Sequence, residues 1–443
     1  MALFPSLGIM KSSAATMQYG NHLIFLFMGG FFLAVAMERW NLHKRVALYT
    51  IKLVGTSPAR IILGFMLATA FLSMWVSNTA TAMMMVPIGL AVIKSATGCT
   101  PSDFMNNPPE LRDKLNFGRA LMLSVAYAAS IGGVGTIIGT PPNVVMVGMV
   151  EKLYGQQISF LDWMIFAVPL VVVFLAITWF MLTKVLFNPG KAKLGGSKEL
   201  ISNQLEDLGP ITKEERWIIT VFGIVASLWI ARGFVTKLPG AEDIIELKYI
   251  HDSTIAIFGS ILLFIIPSNL KKGRFILDWK TAVKIPWNVI LLFGGGLALA
   301  KGFQGSGLAL WIAEQLRALE GSSILIFIFC VVVIVIFLTE ITSNTATATL
   351  LVPIMGGAAI AMSIHPYGAI IGACLASSAA FMLPVATPPN AVVFGSECIS
   401  IKDMAKAGIW MNIIGAVLIT LFVMYLLPLI WGIDLKSVPG WAM

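Results

Sequence analysis

Two copies of one polar hexad stand inside otherwise apolar sequence. Ser77-Asn78-Thr79-Ala80-Thr81-Ala82, followed by Val86-Pro87-Ile88, recurs as Ser343-Asn344-Thr345-Ala346-Thr347-Ala348, followed by Val352-Pro353-Ile354, at an offset of 266 positions. A second pair, Thr140-Pro141-Pro142-Asn143 and Thr387-Pro388-Pro389-Asn390, is offset by 247. The hydroxyls and amide of a Ser-Asn-Thr turn donate to carboxylate oxygens, and their own oxygens, with backbone carbonyls, ligate a hard cation. A helix resuming after such a turn points the positive end of its dipole at an anion, while the unwound backbone offers carbonyls to a cation. Each Pro pair deletes donors and frees carbonyls from the helical ladder, so Gly139-Thr140 and Ala386-Thr387 present backbone oxygens. Ser and Thr also serve as packing glue between membrane helices. One such cluster would be ambiguous; four in two symmetric pairs favour a binding site.

Glu340, three residues before Ser343, is the acidic residue deepest in an apolar run. Three readings of it stand: cation ligand, proton carrier, or partner of a neighbouring amide or Lys. Gly132-Gly133 and Gly135 allow close backbone approach beside the first cluster or simple helix packing, and Gly29-Gly30 and Gly294-Gly295-Gly296 read as close-packing positions. The four histidines (His22, His43, His251, His365) fall at span edges, and the cysteines (Cys99, Cys330, Cys374, Cys398) show no paired spacing. With no Walker loop, metal-ligand spacing or nucleophile–base arrangement, the chain reads as neither an enzyme nor an ATP-driven pump.

These residues must be positioned by elements that live in lipid. The 443 residues are 58% AVILMFWYC with 40 further glycines, and only 12% charged against about 25% in ordinary soluble domains. The net charge of +8 sits in short inter-span loops, so the partner is the bilayer and not nucleic acid. The first ten residues lack the basic region of a cleaved signal peptide. Ordinary spans are expected near 22–40, 160–188, 216–235, 252–267, 286–300 and 406–432. Apolar regions at 58–95, 117–150, 322–364 and 367–397 are broken by the polar clusters, which is tolerated at membrane depth only where protein or a wet cavity satisfies the freed backbone.

Positive charge orients the chain. Lys271, Lys272, Arg274, Lys280 and Lys284 crowd one loop, and Lys191, Lys193, Lys198, Lys213 and Arg216 another, while the loop between them carries Glu242, Asp243 and Glu246 against Lys237 and Lys248. The first two are therefore cytoplasmic and the third external. Lys and Arg near span ends, Arg232 among them, read as snorkelling anchors. Counting spans from these loops, the 58–95 hairpin enters from the cytoplasm and the 322–364 hairpin from outside, so the halves are inverted repeats whose tips meet near the midplane. The first half carries 19 extra residues between its motifs, accounted for by the polar stretch from about Thr97 to Asn116. By the same repeat, Pro5-Ser6 matches Pro267-Ser268 and the first half is expected to be short of about two and a half spans.

Paired SNTATA hairpin tips with paired TPPN breaks resemble the divalent anion/sodium symporter family of sodium-coupled succinate, citrate and sulfate carriers. The resemblance covers Phe4 to about Gly432. It implies an all-α integral membrane protein of the bacterial inner (plasma) membrane, an elevator-type homodimer. Scaffold parts at 1–57 and 215–321 would flank a cytoplasmic linker at 189–214, and a moving transport domain would comprise 58–188 and 322–432. Carried over by position, it implies at least two Na+ sites, one of Ser73, Ser77, Asn78 and Gly139 and one of Thr339, Ser343, Asn344 and Ala386. It implies substrate contacts from Asn78, Thr79, Asn344 and Thr345, with Thr140, Thr387 and Pro388 nearby.

No Arg or Lys stands near either hexad in sequence, so bound cations are expected to neutralise a dianionic substrate, whose burial is otherwise very costly. The expected function is sodium-coupled symport of C4-dicarboxylates. A citrate or sulfate carrier, an exchanger and a proton-coupled carrier using Glu340 are the alternatives, and an anion channel or a membrane enzyme fits less well.

Overall fold

The computed structural model describes residues 3–55, 57–190, 197–236, 249–307, 311 and 323–442. Lys191, Lys193 and the loop from Lys237 to Lys248, used above to orient the chain, lie outside the described residues, as does part of the second scaffold segment. Helix dominates because long runs of Leu, Ile, Val, Phe and Ala must satisfy every backbone N–H and C=O within the segment. Among the described residues, six helices are long and apolar enough to cross a membrane: Ser12–Arg39, Asn78–Thr97, Phe160–Leu186, Lys213–Val235, Asn344–Ala361 and Ile401–Trp431.

In chain order the elements that matter are α1 (His22–Arg39), α2 (Leu42–Val54), α3 (Pro58–Ser73), α4 (Asn78–Thr97), α5 (Arg112–Gly133), α6 (Pro141–Tyr154), α7 (Phe160–Phe180), α8 (Lys213–Val235), α9 (Asp252–Ile265), α10 (Trp287–Gly305), α11 (Ile324–Thr339), α12 (Asn344–Ala361), α13 (Pro366–Ser377), α14 (Pro388–Phe394) and α15 (Ile401–Leu421). Each Ser-Asn-Thr cluster is the turn of a helical hairpin, α3–α4 and α11–α12, and each Thr-Pro-Pro-Asn restarts a broken helix, α5–α6 and α13–α14. The polar stretch after Thr97 holds a short helix, Pro101–Asn106, and the first turn of α5.

One sequence expectation is corrected, that for Arg232. The spans expected at 252–267 and 286–300 are α9, Asp252–Ile265, and α10, Trp287–Gly305. The first, at 1.5 Å per residue, extends about 21 Å against the roughly 30 Å of a bilayer core. It stops before Pro267, where the chain turns into a small two-stranded antiparallel ribbon, β1 (Pro267–Asn269) with β2 (Arg274–Phe275), within an otherwise helical fold. Arg232 is not a snorkelling anchor: its guanidinium pairs with Asp252 at 3.0 Å and donates to Ile250 O at 2.7 Å, bonds that hold the end of α8 to the start of α9.

The core is built from the helices that precede the breaks. Every residue of α5 from Phe117 to Gly133 is buried, as is every residue of α13, and helices apolar all round belong in such a position. Hairpin α3–α4 packs on α5 and hairpin α11–α12 on α13. The restarted helices then cross over: α6 packs on α12 of the opposite hairpin, and α14 packs on α4. This exchange brings the two tips and the two breaks to one place. Close approach is bought with glycine at a few points: a Cβ at Gly132 would enter the Ala70 backbone, and one at Gly29 would lie 2.7 Å from Ala256.

Outside this core, a buried ion pair ties α2 to the first turn of α8. Arg45 donates from Nε to Glu215 at 2.7 Å and from Nη1 to Gly209 O at 2.9 Å. At the opposite end of the molecule His22 bonds Glu151 at 3.0 Å and stacks on His251 at 4.8 Å. All four histidines do lie at helix edges, as expected.

Candidate binding cavity between the hairpin tips

A cavity of about 800 Å³ opens where the crossed halves meet. Its wall includes Ser77, Asn78 and Thr79 from the first tip, Ser343, Asn344 and Thr345 from the second, Gly139 and Thr140 from the first break, and Ala386, Thr387 and Pro388 from the second. Of the residues expected at the site, only Ser73 and Thr339 do not line it. Both are fully buried one layer behind, where they hold the tip asparagines. Thr339 Oγ1 lies 2.8 Å from Asn344 Oδ1 and 2.9 Å from Ser377 O, with one proton to share between the two acceptors. Ser73 Oγ lies 2.5 Å from the Asn78 amide and donates to Ala129 O at 2.7 Å. In the orientation that satisfies both ends of the Asn78 amide, its nitrogen donates to Ala129 O at 3.1 Å and to Gly139 O at 3.3 Å. Gly133 packs directly on this amide, leaving no room for a Cβ.

The breaks are held by the asparagine that ends each motif. Asn143 Nδ2 donates to Thr136 O at 2.7 Å and Val134 O at 3.1 Å, and Asn390 Nδ2 donates to Leu383 O at 3.0 Å and Ala380 O at 3.1 Å. At the 247-residue offset Thr136 corresponds to Leu383, so the same clamp recurs in both halves. Thr387 Oγ1 accepts from Asn390 N at 3.3 Å and Ser77 Oγ from Ala80 N at 3.3 Å, capping α14 and α4. Four helices, α4, α6, α12 and α14, therefore start at the cavity, and four, α3, α5, α11 and α13, end beside it. The starts of α4 and α12 present N–H groups and partial positive charge to an anion, those of α6 and α14 open on Pro pairs without N–H and present the dipole's positive end alone, and the four ends present carbonyls and partial negative charge to a cation.

One electrostatic expectation is corrected. Lys284 lines the same cavity as the tips, and Glu38 at the end of α1 lines it too. Lys284 is 59 residues from Ser343 in sequence and was counted only as a loop charge; it reaches the cavity because Lys284, Pro286, Asn288 and Val289 lead into α10 along its wall. Glu340, by contrast, is absent from the wall. It is bound by Phe381 N, Met382 N and Leu383 N and by Asn412, so the pairing with neighbouring amides, one of the three readings open from sequence, is present. The clamping role of Asn143 and Asn390 was also missed, although their place in the repeated motif was the available signal.

Comparison with known proteins bears on what this cavity holds. Residues 1–432 match the family model of the sodium:sulfate symporter transmembrane region. The chain is 47% identical over 438 residues to the sodium-dependent dicarboxylate transporter SdcS of Staphylococcus saprophyticus, covering 99% of this chain and 82% of that protein. The SdcS of Staphylococcus aureus strain MRSA252 is equally similar, with the same coverage. In fold, the chain is similar to the Neisseria gonorrhoeae efflux pump MtrF, with TM-score 0.60 at 12% identity over 93% of this chain and 84% of that one. It is also similar to the Alcanivorax borkumensis transporter YdaH, with TM-score 0.62 at 12% identity over 93% and 87%.

Proposed function

The chain belongs to the sodium:sulfate symporter family, and from that premise we propose that it is a multi-pass plasma-membrane carrier, not an enzyme, that couples sodium to the transport of C4-dicarboxylates such as succinate, malate and fumarate. The observation that carries this reading is the single cavity of about 800 Å³ shared by both tips and both breaks, a volume suited to a small ligand with its ions. The substrate carboxylates are held by Asn78-Thr79 and Asn344-Thr345 with Thr140, Thr387 and Pro388 beside them. Sodium occupies two sites, one of Ser73, Ser77, Asn78 and Gly139 and one of Thr339, Ser343, Asn344 and Ala386. Ser73 and Thr339 act there chiefly by orienting the asparagine amides they touch.

Lys284 is the one basic side chain on the cavity wall among the described residues, and Glu38 offsets it, so a dianion still requires cations. Sodium that binds first creates the anion site, and substrate then tightens sodium by the same factor. Movement follows from inverted repeats: 58–188 and 322–432 slide as a transport domain against scaffold parts at 1–57 and 215–321, joined by the 189–214 linker, in each subunit of a homodimer. The border between these parts suits sliding, since it includes close apolar contacts of Gly30 with Ile138 and Gly148 with Phe293. With the lysine-rich 269–284 loop cytoplasmic, a cavity that reaches Lys284 and Glu38 is open to the inner side.

Labelled succinate uptake into vesicles, in competition with malate, citrate, glutamate and sulfate, tests the substrate class. C4-dicarboxylates are expected to compete; competition by sulfate or citrate alone contradicts it.

A further inference from the structure

We propose that the ribbon between α9 and α10 is a docking surface for anionic lipid: Lys271, Lys272, Arg274 and Lys280 hold the phosphate headgroups of the membrane surface on which the loop lies, with Leu270 and Trp279 inserted beside them. The inference rests on the plasma-membrane reading above and goes beyond it.

The depth of the ribbon follows from the two helices before it. Helix α8 has 23 residues, about 34 Å, and is long enough to span a bilayer core. Its last turn meets the start of α9, where Arg232 pairs with Asp252 and Trp229 Nε1 donates to Asp252 O at 2.9 Å. The 14 residues of α9 return about 21 Å of that length, and the ribbon completes the rest. Ser268 Oγ, on β1, donates to Glu214 Oε1 at 2.8 Å, so the ribbon lies level with the first turn of a full span. That level is the headgroup region.

One side of the ribbon is fixed to the protein. Ile276 and Leu277 are fully buried and donate from their backbone to Ile266 O and Leu263 O, each at 3.0 Å. Trp40 Nε1 donates to Ile276 O at 2.8 Å and Arg39 pairs with Asp278 at 2.7 Å, which ties the segment to the end of α1. The other side is bare. The turn closes at Gly273, whose φ of +59° favours glycine, with Lys271, Lys272 and Arg274 exposed around it, and Lys280 is exposed on the short helix Trp279–Ala282. Leu270 is 75% exposed and Trp279 64%.

Among the described residues none of these four basic side chains pairs with an acid, while the acids of the ribbon and of its contact on α8, Asp278 and Glu214, are engaged by Arg39 and Ser268. A basic cluster alone would suit any polyanion. Unpaired Lys and Arg beside an exposed Trp and Leu, at headgroup depth, suit a lipid: the charges meet phosphate while the apolar side chains enter the acyl boundary. Four residues beyond Lys280 the chain reaches the cavity wall at Lys284, so a bound headgroup braces that rim of the cavity.

Native mass spectrometry of the purified full chain, titrated with phosphatidylglycerol or phosphatidylcholine, tests the proposal. Wild type is expected to bind phosphatidylglycerol in preference, and added salt to weaken that binding. Lys271→Gln, Lys272→Gln, Arg274→Gln and Lys280→Gln combined are expected to weaken phosphatidylglycerol binding about tenfold or more and to abolish the preference. Trp279→Ala is expected to weaken both lipids and keep the preference. Equal phosphatidylglycerol binding by wild type and the combined variant overturns the proposal, as does displacement of the lipid by inorganic phosphate, the mark of an anion site and not of a lipid surface. If the combined variant does not fold, Lys271→Gln with Lys272→Gln, and Arg274→Gln with Lys280→Gln, decide on the same criterion. Uptake plays no part in this readout, so lipid docking and sodium-coupled transport stand or fall separately.

Discussion

At the residue scale, polarity out of place was the legible signal. Ser, Asn and Thr inside apolar sequence are costly in lipid unless they are bonded or wet, so Ser77-Asn78-Thr79 and Ser343-Asn344-Thr345 announced themselves, and the structure brings them to one cavity. Lys284 gave no such signal, because a lysine in a charged loop looks like any other until the loop is folded against α10. Replacing it tests its part: Lys284→Gln is expected to raise KM for succinate severalfold while sodium half-saturation stays within twofold of wild type, since a positive side chain on the cavity wall attracts an anion and not a cation. Uptake titrated with succinate and then with sodium reads both. The ion pair of Arg45 with Glu215 gives a stability prediction. Removing one partner strands a buried charge, so Arg45→Ala is expected to lose about 3–5 kcal/mol, seen as a lowered melting temperature in detergent.

At the element scale, the hairpins and the breaks were legible because proline and polar clusters interrupt helices at identical places in two halves. What the sequence did not carry was the crossover of α6 onto α12 and α14 onto α4, since nothing in an apolar helix names its partner across the molecule. Helix α9 ends two residues short of the span expected to reach 267. Its hydropathy continues past Ile265, but Pro267 cannot join the helical ladder and the chain becomes ribbon instead. The tightest helix contacts are glycines with no spare volume. Gly132→Val would drive a side chain into the backbone of α3 and is expected to lower stability by about 1–3 kcal/mol, whereas valine at exposed Gly223, with open space beside it, should leave melting unchanged.

At the scale of the whole molecule, the proposed sliding must break the bonds that cross between the two parts. His22 to Glu151 is one of them, and Asp252 to the N–H of Phe160 at 3.2 Å is another. A cleavable thiol cross-link between His22→Cys and Glu151→Cys, in a background lacking the native cysteines, is expected to arrest uptake, and cleavage is expected to restore it. Full uptake through the intact cross-link would remove the sliding mechanism. The central claim is that both hairpin tips serve one sodium-coupled dicarboxylate site, and one measurement reaches it most directly: labelled succinate uptake into vesicles under a sodium gradient, for wild type, Asn78→Ala and Asn344→Ala, with sodium replaced by choline as control. Uptake is predicted in wild type with sodium and in no other arm; sodium-driven uptake in either variant, or equal wild-type uptake in choline, contradicts the account.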